Sequence, residues 1–184
     1  MNENNRNGRD MGQKRIAIIG EQCSGKSTVA KMAAKKVDSF IIKFADPIYE
    51  ALASLNKNKH RAFMQEYGDL AKKHFGPDIF VQRFHERLRS YRFADMLVCD
   101  DVRIPIEAQA VKRAGFKIIY IMADRDVRKA RAAAQGLEFI ENHNSENQVA
   151  GLKDFVDLTI VNDGSEIGGL ARVVDTALAR LNVH

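Results

Sequence analysis

Eight consecutive residues, Gly20-Glu21-Gln22-Cys23-Ser24-Gly25-Lys26-Ser27, fit the spacing G-x-x-x-x-G-K-[ST]. That spacing suits phosphate. Glycines at both ends let the backbone fold back tightly, so that its N–H groups around Cys23 and Ser24 converge on a β-phosphate. Lys26 then reaches the β and γ oxygens, and Ser27, followed by Thr28, offers a hydroxyl to Mg²⁺. By average residue frequencies a chance match in a chain of this length has a probability below about one per cent. A partner acid for Mg²⁺ belongs at the end of a neighbouring strand, where Met96-Leu97-Val98-Cys99 runs into Asp100 and Asp101. The residues alone do not choose between those two aspartates. Further on, Asp124-Arg125-Asp126-Val127-Arg128-Lys129-Ala130-Arg131 places Arg125, Arg128 and Lys129 on one helical face, with Arg131 beside it. Planar guanidiniums there can neutralise charge during phosphoryl transfer, or simply form a solvated basic face. Arg83 and Arg87 are i,i+4 partners with Phe80 one turn earlier. Such a trio can stack a base and hold its phosphate, or be a surface pair over one core Phe.

These residues need elements to hold them. The runs Ile16–Ile19, Phe40–Phe44, Met96–Cys99, Lys117–Met122 and Leu158–Val161 are short and apolar, as strands buried on both faces are. Helical patterns fill the intervals at Lys26–Lys36, Pro47–Leu55, Arg61–His74, Asp78–Tyr91, Pro105–Ala114, Arg125–Ala134 and Ile167–Leu181. The alternation implies a five-stranded parallel sheet wrapped by helices, an α/β fold. In Arg61–His74 the residues Phe63, Met64, Tyr67, Leu70 and His74 fall at helical spacing and read as a core stripe. Pro105 suits a first turn and Gly115 a C-terminal cap.

The 184 residues suit one domain, residues 14–184, after an Asn/Gly-rich leader, 1–13, that reads as disordered. Two cysteines are too few for a disulfide framework, and no signal segment or bilayer-length apolar run occurs, so a cytoplasmic location is expected. The net charge of +5 is unevenly spread: 57–92 and 112–131 each carry +5, and the 93–111 stretch between them carries −3. Basic segments broken in this way fit a small polyanion better than a nucleic-acid track. A switch-type GTPase is disfavoured because Asn56-Lys57-Asn58-Lys59 lacks the acid that reads guanine.

Several further pieces occur in a recognisable order: Phe44-Ala45-Asp46-Pro47, Gln65-Glu66-Tyr67-Gly68, Asp78-Ile79-Phe80-Val81, Asp101-Val102-Arg103-x-Pro105-x-Glu107-Ala108, His143-x-Ser145-Glu146 and Asp157-x-x-Ile160-x-Asn162-Asp163-Gly164. Together with the phosphate loop they resemble the phage-type deoxynucleoside monophosphate kinases of the P-loop nucleoside monophosphate kinase group. The resemblance implies a three-layer P-loop fold, with a helical acceptor-binding region at about 47–92 and a short lid at about 124–146. It implies ATP with Mg²⁺ as donor and a nucleotide as small-molecule acceptor, with no membrane and no stable nucleic-acid partner. A dimer is one option for the oligomeric state. By the same resemblance Asp101 is the metal-site acid, Asp46 and Arg103 line the acceptor site, and Asn162, Asp163 and Gly164 lie near the donor adenine; Phe80, Arg83 and Arg87 join the acceptor-site candidates on their spacing alone. Ile106 stands where such relatives often place Asn, and Lys72-Lys73 near where an Arg is common. His143 reads as a loop hydrogen-bonder, Ser145 and Glu146 as a helix start, Cys23 as a space-filler and Cys99 as core.

A phosphate acceptor is mostly dianionic at pH 7 and needs no base, so alignment and charge stabilisation would fall to Lys26, Ser27-bound Mg²⁺, Arg103, Arg125, Arg128 and Arg131. Asp46 then orients. If the acceptor is instead an alcohol, as in dephospho-coenzyme A or sugar kinases, Asp46 is the candidate base. A nucleotide-binding protein without kinase activity is the third reading.

Overall fold

The computed structural model describes residues 12–35, 37–57, 60–139, 151–164 and 167–181. The leader beyond Gly12 and the expected roles of His143, Ser145 and Glu146 fall outside them. Five strands form one all-parallel sheet: β1 (Lys14–Ile19), β2 (Ser39–Ile41), β3 (Met96–Cys99), β4 (Lys117–Met122) and β5 (Leu158–Val161). Their order is β2-β3-β1-β4-β5, which puts the phosphate-loop strand in the centre. Ile16 lies beside Val98 on one side and Lys117 on the other. The C-terminal ends of β1, β3 and β4 therefore share one edge, and crossing the sheet there creates the crevice in which α/β proteins bind ligands.

Between the strands run α1 (Lys26–Ala34), α2 (Asp46–Ser54), α3 (Arg61–Phe75), α4 (Ile79–Ser90), α5 (Pro105–Arg113), α6 (Arg125–Ala134) and α7 (Ile167–Arg180). Alternation within the strands separates two cores. Ile16, Ile18, Val98, Ile119 and Ile121 meet Val29, Ala30 and Ala33 of α1 and Val174 and Leu178 of α7. On the opposite face Ala17, Ile19, Leu97 and Ile118 meet Phe84 of α4, Ala108 and Val111 of α5, and Phe116. Phe44 stacks on Phe84 with ring centroids 4.2 Å apart. Gly115, at φ +79°, ends α5 as its position suggested.

Two expectations need correction. The second strand stops at Ile41 instead of Phe44. Ile42 still donates to Val98 O, but the N–H groups of Phe44 and Ala45 go to the carboxylate of Asp101, which bends the chain off the sheet into α2. The stripe on α3 is core only at its start. Phe63 and Met64 are half-buried and pack against the core cluster, whereas Tyr67 and Leu70 are 37% and 57% exposed and His74 is exposed as well. The reason is placement: α3 packs on α2 and α4, outboard of the sheet, so its apolar side is covered only in part. Its close approach to α2 is at Gly68, where a Cβ would lie 3.7 Å from Ile48 Cδ1.

Candidate active site

The segment from Gly20 to Lys26 links β1 to α1 in a shape that side chains resist. The φ angles are +151° at Gly20, +59° at Cys23 and +102° at Gly25. A Cβ on Gly20 would lie 2.5 Å from the carbonyl oxygen of Ile121, and one on Gly25 would lie 2.4 Å from Asn162 Nδ2. Glycine is therefore required twice, for conformation and for space. Lys26 folds back over the loop, its Nζ donating to the carbonyls of Gly20 at 2.7 Å and Glu21 at 2.6 Å. Burial, helped by the nearby charge of Arg103, lowers its pKa to about 8. Two cations held close together, one of them buried, favour an anion between them. Ser24 Oγ is buried and makes no hydrogen bond among the described residues. An orphaned hydroxyl, a buried ammonium and a glycine-shaped loop at a helix N-terminus together fit a polyphosphate.

The carbonyl side of the loop is clamped from two other elements. Asn162, just after β5 and 6% exposed, donates from Nδ2 to Ser24 O at 2.8 Å. Arg131 of α6 donates to Asn162 Oδ1 at 3.0 Å, and its other terminal nitrogen reaches Cys23 O and Ser24 O at 3.4 Å each. Gly164, at φ +94°, packs where a Cβ would meet Val127 at 3.4 Å. Asp163 is exposed. The three arginines of α6 thus do not act as one surface. Arg131 braces the loop; Arg128 is 8% exposed, donates to Ala123 O at 3.2 Å and lies under the Phe139 ring; Arg125 is exposed beside Asp126.

At the end of β3 the two aspartates separate cleanly. Asp101 accepts from Phe44 N at 3.1 Å and Ala45 N at 3.0 Å, one per oxygen, so its carboxylate serves as a staple between β3 and the start of α2. Burial raises its pKa. Asp100 pairs with Lys43 Nζ at 2.9 Å and lies close enough to Lys26 to oppose the lowering of that lysine's pKa. Both oxygens of the expected Asp101 are thus engaged by backbone amides, and Asp100 is the aspartate whose charge reaches Lys26. Among the described residues no three His, Cys, Asp or Glu side chains gather as a metal cluster. A hydroxyl from Ser27 and one carboxylate are the sparse protein share that a hydrated, phosphate-bound Mg²⁺ uses, so the residues present fit that ion.

At the start of α2, where the acceptor site was expected, Asp46 Oδ2 accepts from Lys43 N at 2.9 Å and pairs with Arg87 Nε at 3.2 Å. Burial raises the Asp46 pKa, opposed by the Lys43 amide and the Arg87 charge. Arg87 also bonds Glu50, and Arg83 pairs with Glu86 at 2.6 Å. Glu50, Arg83, Glu86 and Arg87 line a cavity of about 230 Å³ with Lys43, Pro47, Phe84 and Ser90, and Asp46 stands behind Arg87 without lining it. Phe80 does not join them. Its ring is buried in the core, so the aromatic-platform reading gives way to packing.

Sequence reasoning passed over Lys43 and Glu107. A lone cation at the end of an apolar strand was the signal for Lys43. Glu107 stood inside a quoted motif without a role; its Oε2 accepts from Arg103 N at 2.7 Å and Ile104 N at 3.3 Å.

No family model matches the sequence, and no curated protein matches it. Solved structures do. The tunicamycin resistance protein of Deinococcus radiodurans has 15% identity and a TM-score of 0.59, covering 94% of this chain and 97% of its own. Shikimate kinase from Bacteroides thetaiotaomicron has 13% identity and a TM-score of 0.56, covering 92% and 98%. A gluconokinase from Sinorhizobium meliloti 1021 has 16% identity and a TM-score of 0.56, covering 94% and 95%. The fold is that of the small P-loop kinases. Likeness at this identity establishes architecture; chemistry has to be argued from the residues. Among the described residues no helix is long and apolar enough to cross a membrane.

Proposed function

We propose that the chain transfers the γ-phosphoryl group of ATP to a nucleoside or deoxynucleoside monophosphate, with the phage-type deoxynucleoside monophosphate kinases as the nearest model for its chemistry. The observation that carries this reading is the glycine-shaped loop closing over the buried Lys26 with Ser24 Oγ left without a partner, beside an exposed Arg103 whose charge helps lower the Lys26 pKa. Like charges held together at the meeting point of donor and acceptor suit a substrate pair in which both partners bring phosphate. Lys26 and the loop backbone hold the donor phosphates, Ser27 and Asp100 hold Mg²⁺, and Arg103 with Lys43 and Arg87 faces the acceptor phosphate. Mg²⁺, when bound, neutralises charge on the donor oxygens. Asp46 aims Arg87. Arg125 is the α6 arginine left exposed to meet the transferring group, while Arg131 and Asn162 hold the loop on the donor side. No base is required, because the acceptor already carries a nucleophilic phosphate oxygen.

A second reading has its own support. Asp46 keeps Oδ1 without a hydrogen bond among the described residues, and burial lifts its pKa, both of which suit a base for a hydroxyl acceptor. Two of the structural neighbours are shikimate kinase and gluconokinase, which act on alcohols by name. Measuring ADP release over a panel of nucleoside monophosphates, deoxynucleoside monophosphates, shikimate and gluconate separates the readings. Turnover with a nucleotide supports the first; turnover with an alcohol alone replaces it with the second. ATP binding with no acceptor-dependent turnover at all points to a non-kinase nucleotide-binding protein. In the first case Asp46→Asn lowers kcat without removing an acid-dependent limb from its pH profile; loss of that limb marks a base.

A further inference from the structure

Glu107 sits in the first turn of α5, and both of its hydrogen bonds end on Oε2, from Arg103 N at 2.7 Å and Ile104 N at 3.3 Å. A glutamate reaching back over a helix start is ordinarily a cap, worth a fraction of a kilocalorie to the helix. Here the capped turn is the one that carries Arg103, whose side chain is exposed toward the cleft and whose charge is felt by Lys26. The same carboxylate is flanked by Asp101 in the turn that leaves β3 and by Lys72 from α3. Oε1 makes no hydrogen bond among the described residues.

We propose that Glu107 is a positioning residue for the phosphoryl-transfer site: by holding the N–H groups of Arg103 and Ile104 it fixes the turn from which Arg103 reaches the acceptor phosphate. The role rests on the phosphotransferase reading above. It acts through the backbone, so Glu107 itself does not contact the reacting atoms. Burial, opposed by those two N–H bonds and by Lys72 and reinforced by Asp101, brings the carboxyl to about 7. Above that pH the ionised oxygen makes charge-assisted bonds to the turn, and below it the bonds weaken. The clamp therefore loosens as pH falls from 8 to 6.

Two measurements on the full chain test this independently. The first, amide hydrogen exchange of Arg103 and Ile104 without substrate and corrected for intrinsic pH dependence, needs no knowledge of the acceptor. Protection falls as pH drops through about 7 in the wild type and is independent of pH in Glu107→Gln, whose amide oxygen still accepts the bonds. Protection that follows the same course in both proteins overturns the clamp, whatever the substrate proves to be. The second, steady-state kinetics with the acceptor found in the panel, asks whether the clamp matters to the reaction. Glu107→Ala raises KM for the acceptor at least about tenfold with KM for ATP held within twofold, and Glu107→Gln restores most of it. In wild type the acceptor KM rises below pH 7, on top of the phosphate's own titration near 6, and Glu107→Gln keeps only the latter. Unchanged acceptor KM in a folded Glu107→Ala protein overturns the positioning role and leaves an ordinary helix cap.

Discussion

The two ends of the crevice are built by different means. Between β1 and α1 the loop is fixed by backbone: left-handed glycines, buried Ser24, and carbonyls held by Asn162 and Arg131. Around α2 and α4 the polar groups are ion pairs on long side chains, the partly exposed Arg87 with Asp46 and Glu50, and Lys43 with the buried Asp100, below an α3 whose Leu70 and Phe75 stay in solvent. Backbone held by buried hydrogen bonds is costly to disturb, whereas partly exposed ion pairs on long side chains contribute less and rearrange more easily. Under the proposed function, the contrast is that of a preformed donor cradle facing an acceptor side able to adjust around its substrate.

That contrast can be broken by mutation. The largest effect belongs to Lys26→Met, which should cut phosphoryl transfer by roughly 10²–10³-fold or more while leaving the ligand-free melting temperature unchanged or higher, because a buried charge is removed. The pH dependence has a definite sign. An ordinary lysine titrates at 10.5 and Lys26 at about 8, so between those values the unfolded chain binds the extra proton and ligand-free stability rises with pH. Melting curves of Lys26→Met should lack that rise. Next comes Arg103→Ala, expected to lower kcat/KM for the acceptor by about 10²-fold with ATP binding nearly intact, since one charge-stabilising donor is lost. Equal losses for both substrates in fluorescence titrations would remove the division between the two ends. Asn162→Ala follows: it leaves Ser24 O and the Arg131 guanidinium short of a partner and should cost about 1–3 kcal/mol in denaturant unfolding. Arg87→Ala, by comparison, should cost under about 1 kcal/mol. A reversal of those two stabilities would sink the proposed contrast. The smallest effect is expected at Leu70→Ser and Phe75→Ser, within about 0.5 kcal/mol of wild type, because neither side chain is buried.

Legibility followed the range of the interactions. The phosphate loop was readable because its constraints are local, a fixed spacing of glycines with Lys26 and Ser27. Helix and strand patterns located every element of the sheet, with the second strand overextended because the turn at Phe44 depends on Asp101, which lies far along the chain. The pattern on α3 misled for a related cause: apolar spacing tells which side of a helix is greasy, and only neighbours decide whether anything covers it. Asp100 and Asp101 are adjacent and chemically identical in sequence. What separates them is that one faces Lys43 and the other faces two amides.

The order of residues by itself determined that this protein has a parallel α/β sheet with a glycine-shaped loop at the end of its first strand, because those features arise from short-range periodicity and from backbone geometry that only glycine permits. Tertiary structure decided which aspartate's charge reaches Lys26, that Phe80 is core, that Arg131 braces carbonyls instead of joining Arg125 in solvent, and that Glu107 holds the turn carrying Arg103. Each of these depends on which strand end or helix start meets another across the sheet, and such meetings are set by packing of the two cores, which no local spacing encodes.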